Sequence, residues 1–151
     1  MPFPNLFRYT ERLAKFDLQY ETTRIINENS EYLTNLLAIQ LSQGKDADGA
    51  NVTVFGKDYY SDRTVFEKTR HGSGLGKVTD RITNYMSGAF YFGLKVNVNG
   101  TRFVFTSDVP YFQDILTRSG TERVIQLNQE HLEQFRNEIL IPQLKLAFNG
   151  L

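Results

Sequence analysis

FYFGLKVNVNGTRFVFTS, residues 90–107, decides how the rest of the chain is read. Phe92, Leu94, Val96 and Val98 alternate with Tyr91, Gly93, Lys95 and Asn97, the period of a strand with one buried face. Asn99-Gly100 follows, the pair that most readily takes the two positive-φ conformations of a type I′ turn. Residues 101–106 then return with Phe103 and Phe105 on one side. A two-residue loop at Asn99-Gly100 sets Val96 opposite Phe103 and Leu94 opposite Phe105, and all four share a face. Full burial of each stabilises by roughly 1.5–3 kcal/mol. A lone hairpin is marginal in water, so that face needs a cover.

Helical patterns at both ends of the chain supply one. Leu6, Tyr9, Leu13 and Phe16 lie near helical spacing over residues 5–16, with Pro2 and Pro4 holding the preceding tail out of the helix. From Thr22 to Gln43 a wider stripe runs through Ile25, Ile26, Tyr32, Leu33, Leu36, Leu37, Gln40 and Leu41. Asn29 interrupts it, which predicts a break at Asn29-Ser30; Gly44 is placed to stop it. Beyond the hairpin, Ser107 or Asp108 with Pro110 announces a short helix with Phe112, Ile115 and Leu116 inside and Gly120 at its end. Val124, Ile125 and Leu127 read as an extended connection. Asn128 caps the last helix, where Leu132, Phe135, Ile139 and Leu140 carry the stripe and Glu130 sits in the first turn. Pro142 predicts a kink or a division before Leu144, Leu146 and Phe148.

The middle is less regular. Asn51–Phe55 reads as a short strand, residues 56–78 as a mobile loop, and Thr79–Tyr85 as a strand or a short helix. The expected architecture is one α+β domain over residues 1–151. It has a small, mostly antiparallel sheet with a central hairpin at about 90–107, packed by N- and C-terminal amphipathic helices.

Composition narrows the function classes. Apolar residues make up 40% and aromatics 13%, against disorder. Seventeen basic residues balance seventeen acidic ones, so no global field draws the chain to nucleic acid or anionic lipid. With no cysteine there is no disulfide framework, no thiolate chemistry and no Cys-based zinc site, which suits a reducing cytoplasm. No window approaches a membrane span or a signal-peptide core, and no membrane partner is expected.

Each local motif falls short of a reaction. His71 and His131 belong to no HExxH or other two-histidine helical spacing. His131, in the first turn of the last helix, is expected to face solvent; His71, among glycines and bases, could touch an anion. Asp46-Ala47-Asp48-Gly49 resembles a calcium loop, but its Gly comes one ligand early and Phe55 stands where the distal Glu belongs. A plain Asx-type turn is the better reading. Gly72–Thr79 has His71 where a phosphate loop needs Gly and Val78 where it needs a hydroxyl. Ser73 is not in a nucleophile elbow. Glu21, Glu28, Glu31, Glu130, Glu133 and Glu138 read as solvated helix faces. Tyr59, Tyr60, Phe66, Arg63 and Arg70 offer stacking groups for single-stranded nucleic acid, which the neutral net charge disfavours. Hence no catalytic, cofactor or metal site is read. The contact candidates are Arg70, His71, Gly72, Gly74, Gly76 and Lys77 in the central loop, with Asn99 and Gly100 at the hairpin turn.

Two stretches in order carry a resemblance: Leu41-Ser42-Gln43-Gly44-Lys45-Asp46-Ala47-Asp48-Gly49 after a helix, and Tyr85-Met86-Ser87-Gly88-Ala89-Phe90-Tyr91 before the hairpin. With a C-terminal amphipathic helix, this layout over residues 30–148 resembles small virion-morphogenesis proteins of tailed phages and prophages of Bacteroidetes-type hosts. It is similar to their tail-completion (neck) proteins. In those, the stretch before the sheet commonly reads Leu-Thr-Gly-x-Phe/Leu; here Met86 and Ser87 occupy the first two places. The resemblance implies a non-enzymatic ring subunit at the head–tail junction, made in the host cytoplasm and carried in the virion. Its partners would be copies of itself and a portal, connector or tail-tube protein, with DNA contact only if the ring lumen carries the genome. It carries over no functional residue. Another tail or portal-proximal ring or terminator subunit is the nearest alternative. From other classes come a small hydrolase or nuclease using carboxylates and His71, and a host-directed binding module.

Overall fold

Asp17 starts the first long helical layer. The computed structural model describes residues 4–99 and 102–151. Helix α1 (Pro4–Lys15) ends at Phe16, and α2 (Leu18–Glu28) begins where the Asp17 carboxylate accepts the Tyr20 N–H at 3.0 Å. The Asn29 break falls as the stripe predicts: its side chain donates to the Ile25 carbonyl at 2.8 Å, and α3 (Ser30–Ser42) follows at once. α3 buries Leu33, Leu36, Leu37, Gln40 and Leu41. Gly44, at φ +69°, closes it: its N–H reaches the Leu41 carbonyl at 2.9 Å and the Lys45 N–H reaches that of Gln40 at 3.2 Å. This is a Schellman stop.

Several middle expectations are corrected. The strand at Asn51–Phe55 is reduced to isolated bridges, Lys45 with Asn51 and Val54 with Lys57, because no neighbouring strand lies alongside to extend them. The Asx turn before it is present, with Asp46 Oδ1 accepting the N–H groups of Asp48 and Ala50 at 2.8 and 3.0 Å. The loop expected at 56–78 holds helix α4 (Asp62–His71), capped by Ser61 Oγ on the Thr64 N–H, and a 3₁₀ turn at Gly74–Lys77. Lys68, Arg70 and His71 complement the negative end of α4. Residues 79–88 form neither strand nor helix. A helical turn, α5 (Ala89–Phe92), then takes the first aromatics of the quoted stretch. It leaves Phe92 84% exposed, where strand alternation put it inside.

The fold is α+β, and its sheet is one antiparallel pair, β1 (Leu94–Asn99) with β2 (Arg102–Ser107). Its register is shifted by two from the expected one: Val96 faces Phe105, Val98 faces Phe103 and Leu94 faces Ser107. Asn99 is therefore the last ladder residue, paired with Arg102, not a turn residue; Gly100 and Thr101 lie outside the described residues. A shift of two keeps every side chain on its own face. Leu94 and Phe105 are buried and Val96 and Phe103 half-buried, as the alternation predicts. α2 and α3 lie against β1, and α2 against the C-terminal helix.

Helix α6 (Phe112–Ser119) begins at Tyr111 with no side-chain cap, so Ser107 and Asp108 do not serve; Gly120 ends it at φ +70°. Val124 and Ile125 are buried in a 3₁₀ turn at Glu122–Ile125, not in an extended connection. Asn128 Oδ1 caps α7 (Gln129–Phe135) through the His131 N–H at 2.8 Å. A π-turn at Arg136–Leu140 separates α7 from α8 (Ile141–Asn149). Pro142 has no N–H to give and its ring would crowd the carbonyl four residues back, so the chain widens just before it. The core joins Ile26, Leu33, Leu37 and Leu41 to Phe90, Leu94, Phe105, Ile115, Val124, Ile125 and Phe135.

Candidate functional site

α4 carries one buried residue, and it is a lysine. Lys68 occupies the place that helical spacing from Thr64 and Val65 gives to an apolar side chain, and it is 1% exposed. Its Nζ donates to the Tyr85 carbonyl and stands 4.8 Å from the centre of the Tyr60 ring. Desolvation holds the ammonium below the ordinary lysine range. The irregular segment it grips is held by side chains throughout. Tyr60 Oη accepts the N–H groups of Thr83 and Asn84 at 2.9 and 3.2 Å, and Tyr91 Oη donates to the Thr83 carbonyl at 2.6 Å. Burial pushes the Tyr91 hydroxyl far above its usual range, so it stays a donor. Buried backbone groups need partners, and here three side chains replace a sheet ladder.

The central contact candidates sit on this node. Arg70 and His71 are exposed on the last turn of α4; the Arg70 guanidinium lies 5.8 Å over the Phe66 ring, and His71 Nε2 is 3.6 Å from Glu67. Gly72 and Gly76 are close-packed. A Cβ on Gly72 would stand 2.4 Å from the carbonyl oxygens of both Lys68 and Gly76, and one on Gly76 would stand 2.7 Å from that of Met86. Gly74 and Lys77 are exposed. Asn99 belongs to a different element, the last residue of β1 and paired with Arg102, and Gly100 lies outside the described residues. The eight candidates thus do not form one site.

His131 corrects its expectation. It is buried, with Nδ1 3.4 Å from Gln40 Oε1. Gln40, fully buried in the apolar stripe of α3, also accepts the Asn128 N–H and donates to the Gln126 carbonyl, each at 2.8 Å. This amide ties α3 to the start of α7. Asp48, whose carboxylate Arg123 holds in a bidentate pair below its usual range, is likewise engaged within the chain. Among the described residues no group of three His, Asp or Glu side chains is placed to hold a metal ion, and no helix is long and apolar enough to cross a membrane.

Two exposed surfaces stand out among the described residues. On α1, Leu6, Phe7, Tyr9 and Leu13 are 57, 65, 52 and 50% exposed, and among the described side chains of α1 none is buried. The helix touches the remainder of the molecule through edge-on aromatic contacts, Tyr9 and the following Phe16 against Phe148, with centroids 5.5 and 5.6 Å apart. The second surface is the hairpin. A groove of about 730 Å³ runs beside β2, floored by Phe103, Phe112, Leu116 and Leu127. A smaller one of about 390 Å³ lies between β1 and the start of α3. The sequence pointed to the hairpin as a contact surface; its amphipathic spacing gave α1 as a helix that packs the sheet, not as an exposed surface. It gave no sign of the Lys68 node beyond one basic residue in an apolar place. No family model, curated protein or solved structure matches the chain.

Proposed function

We propose that the chain is a structural protein of a tailed-bacteriophage virion, a ring-forming neck or tail-completion subunit at the head–tail junction. It works without catalysis or cofactor, by docking to copies of itself and to a portal, connector or tail-tube protein. The observation that carries this reading is α1, an amphipathic helix whose four large apolar side chains stay half-exposed or more. Leu6, Tyr9 and Leu13 lie on one side of the helix, and an exposed apolar stripe of this kind marks an interaction site. The free hairpin edges and the exposed end of α4 add further contact surface, and the sequence layout described above supplies the phage assignment.

Native mass spectrometry of the full chain tests the assembly, and mass spectrometry of purified particles from a host carrying the gene tests the location. A closed oligomer and recovery from intact particles are expected. A monomer that is also missing from particles would sink the reading. Leu13→Glu, which places a charge in the exposed apolar arc of α1, is expected to weaken the oligomer while leaving the fold intact.

A further inference from the structure

We propose that neighbouring copies join edge to edge through the hairpin, β2 of one pairing antiparallel with β1 of the next, so that the ring carries one continuous sheet. This rests on the ring reading above and names the contact that closes it.

The hydrogen-bond alternation points to it. The Asp108 N–H donates to the Gly93 carbonyl at 3.1 Å, immediately outside the Leu94–Ser107 pair. In an antiparallel ladder, bonded and non-bonded pairs alternate. The pairs Lys95–Thr106, Asn97–Val104 and Asn99–Arg102 are then the bonded ones, and the N–H and C=O groups of Leu94, Val96, Val98, Phe103 and Phe105 point away from the hairpin. Among the described residues no other group bonds to those of Val96, Val98, Phe103 or Phe105. Each edge opens into a groove instead of solvent alone. Leu94 to Asn97 line the smaller one and Arg102 to Phe105 the larger, odd and even residues alike, as expected of a groove running along a backbone edge.

The occupant follows from charge and from closure. Glu31 stands over the β1 groove beside Ser30 and Thr34, while the β2 groove carries Arg102 at the strand and the exposed Glu122 on its far wall. Lys95 and Arg123 are already paired within the chain, each at 2.6 Å, with Asp108 and Asp48. Bringing β2 of one copy to β1 of the next puts Arg102 and Glu31 on the same seam. Pairing like edges, β1 with β1 or β2 with β2, is a two-fold contact that stops at a dimer with the other edge of each hairpin still free; the unlike pairing is head-to-tail and makes a ring where its rotation closes. Closure also removes both free edges at once.

The absence of cysteine makes the test clean. Asn97→Cys and Val104→Cys are made in separate chains, one distinguished by isotope labelling. Both positions are exposed on the outer face, so both variants are expected to fold. The chains are mixed, assembled and oxidised to disulfides, which bridge one strand spacing of about 4.8 Å but not the two that separate like positions. Mixed cross-links at least tenfold above either homotypic product are expected. Homotypic products in equal or greater yield would overturn the edge assignment. An assembled ring without cross-links would overturn the pairing and leave the ring reading standing; a monomer by native mass spectrometry would end both.

Discussion

Residues 60–91 and the hairpin at 94–107 handle their backbone in opposite ways. The first has no ladder across its irregular stretch at 79–88, yet Ile82 and Thr83 there are fully buried and Lys68, Tyr60 and Tyr91 occupy the polar groups around them. The second has a six-pair ladder, yet among the described residues the outward backbone groups of Val96, Val98, Phe103 and Phe105 meet no partner. Regular structure and closure are therefore separate properties. An irregular segment is sealed when side chains reach its backbone, whereas a regular hairpin stays open when nothing extends it. The sealed region is suited to set shape, and the open one to make contacts.

The largest expected effect is at Gly72. Gly72→Ala drives a Cβ into two carbonyl oxygens that belong to backbone and cannot swing away, and should cost about 3 kcal/mol in urea denaturation. Gly74→Ala, with open space around it but φ +54°, should cost only about 1 kcal/mol. Equal costs would mean that the turn is not packed as described. Next comes Tyr60→Phe, which leaves the Thr83 and Asn84 N–H groups without their acceptor and should cost about 2 kcal/mol. On the hairpin, Phe103→Ala empties a half-buried position and should cost about 1.5 kcal/mol, below the value for a sealed aromatic. A cost as large as that of Gly72→Ala would remove the contrast between the regions.

The smallest effect is a pH slope. Because Lys68 loses its proton more readily folded than unfolded, the unfolded chain binds more protons between the lowered value and the ordinary lysine range of about 10.4. Stability from this group should rise with pH on the alkaline side, up to the ordinary lysine range, and Lys68→Met should flatten that rise measured by denaturation. Tyr91 works in the opposite sense and higher. Its raised value means that the folded chain keeps a proton that the unfolded chain gives up above about pH 10, so its contribution is lost as pH climbs past that point.

Much of the frame was legible because it follows local rules. Asn29, Gly44, Gly120 and Asn128 act at helix ends through signals a few residues long, and the alternation around Leu94 and Phe105 reports burial directly. What escaped depends on partners distant in sequence. Lys68 is inside because a carbonyl 17 residues away meets it, and His131 because Gln40 lies 91 residues upstream. The hairpin register escaped for another reason. A shift of two leaves both face patterns unchanged, so Asn99-Gly100 was the only sequence signal that could choose between registers. The contact candidates were drawn from loops and glycines. Two of those glycines prove to be packing positions, while the wide apolar exposure lies on a helix.

The π-turn at Arg136–Leu140 sets the phase of everything after it. One residue more than an α-turn requires rotates the C-terminal stripe by about a hundred degrees, one residue's share of an α-helical turn. Phe148 meets Tyr9 and Phe16 in that phase. Excising a single residue there would let the winding revert and swing Phe148 aside, so α1 would lose its aromatic moorings though no atom of α1 had been altered.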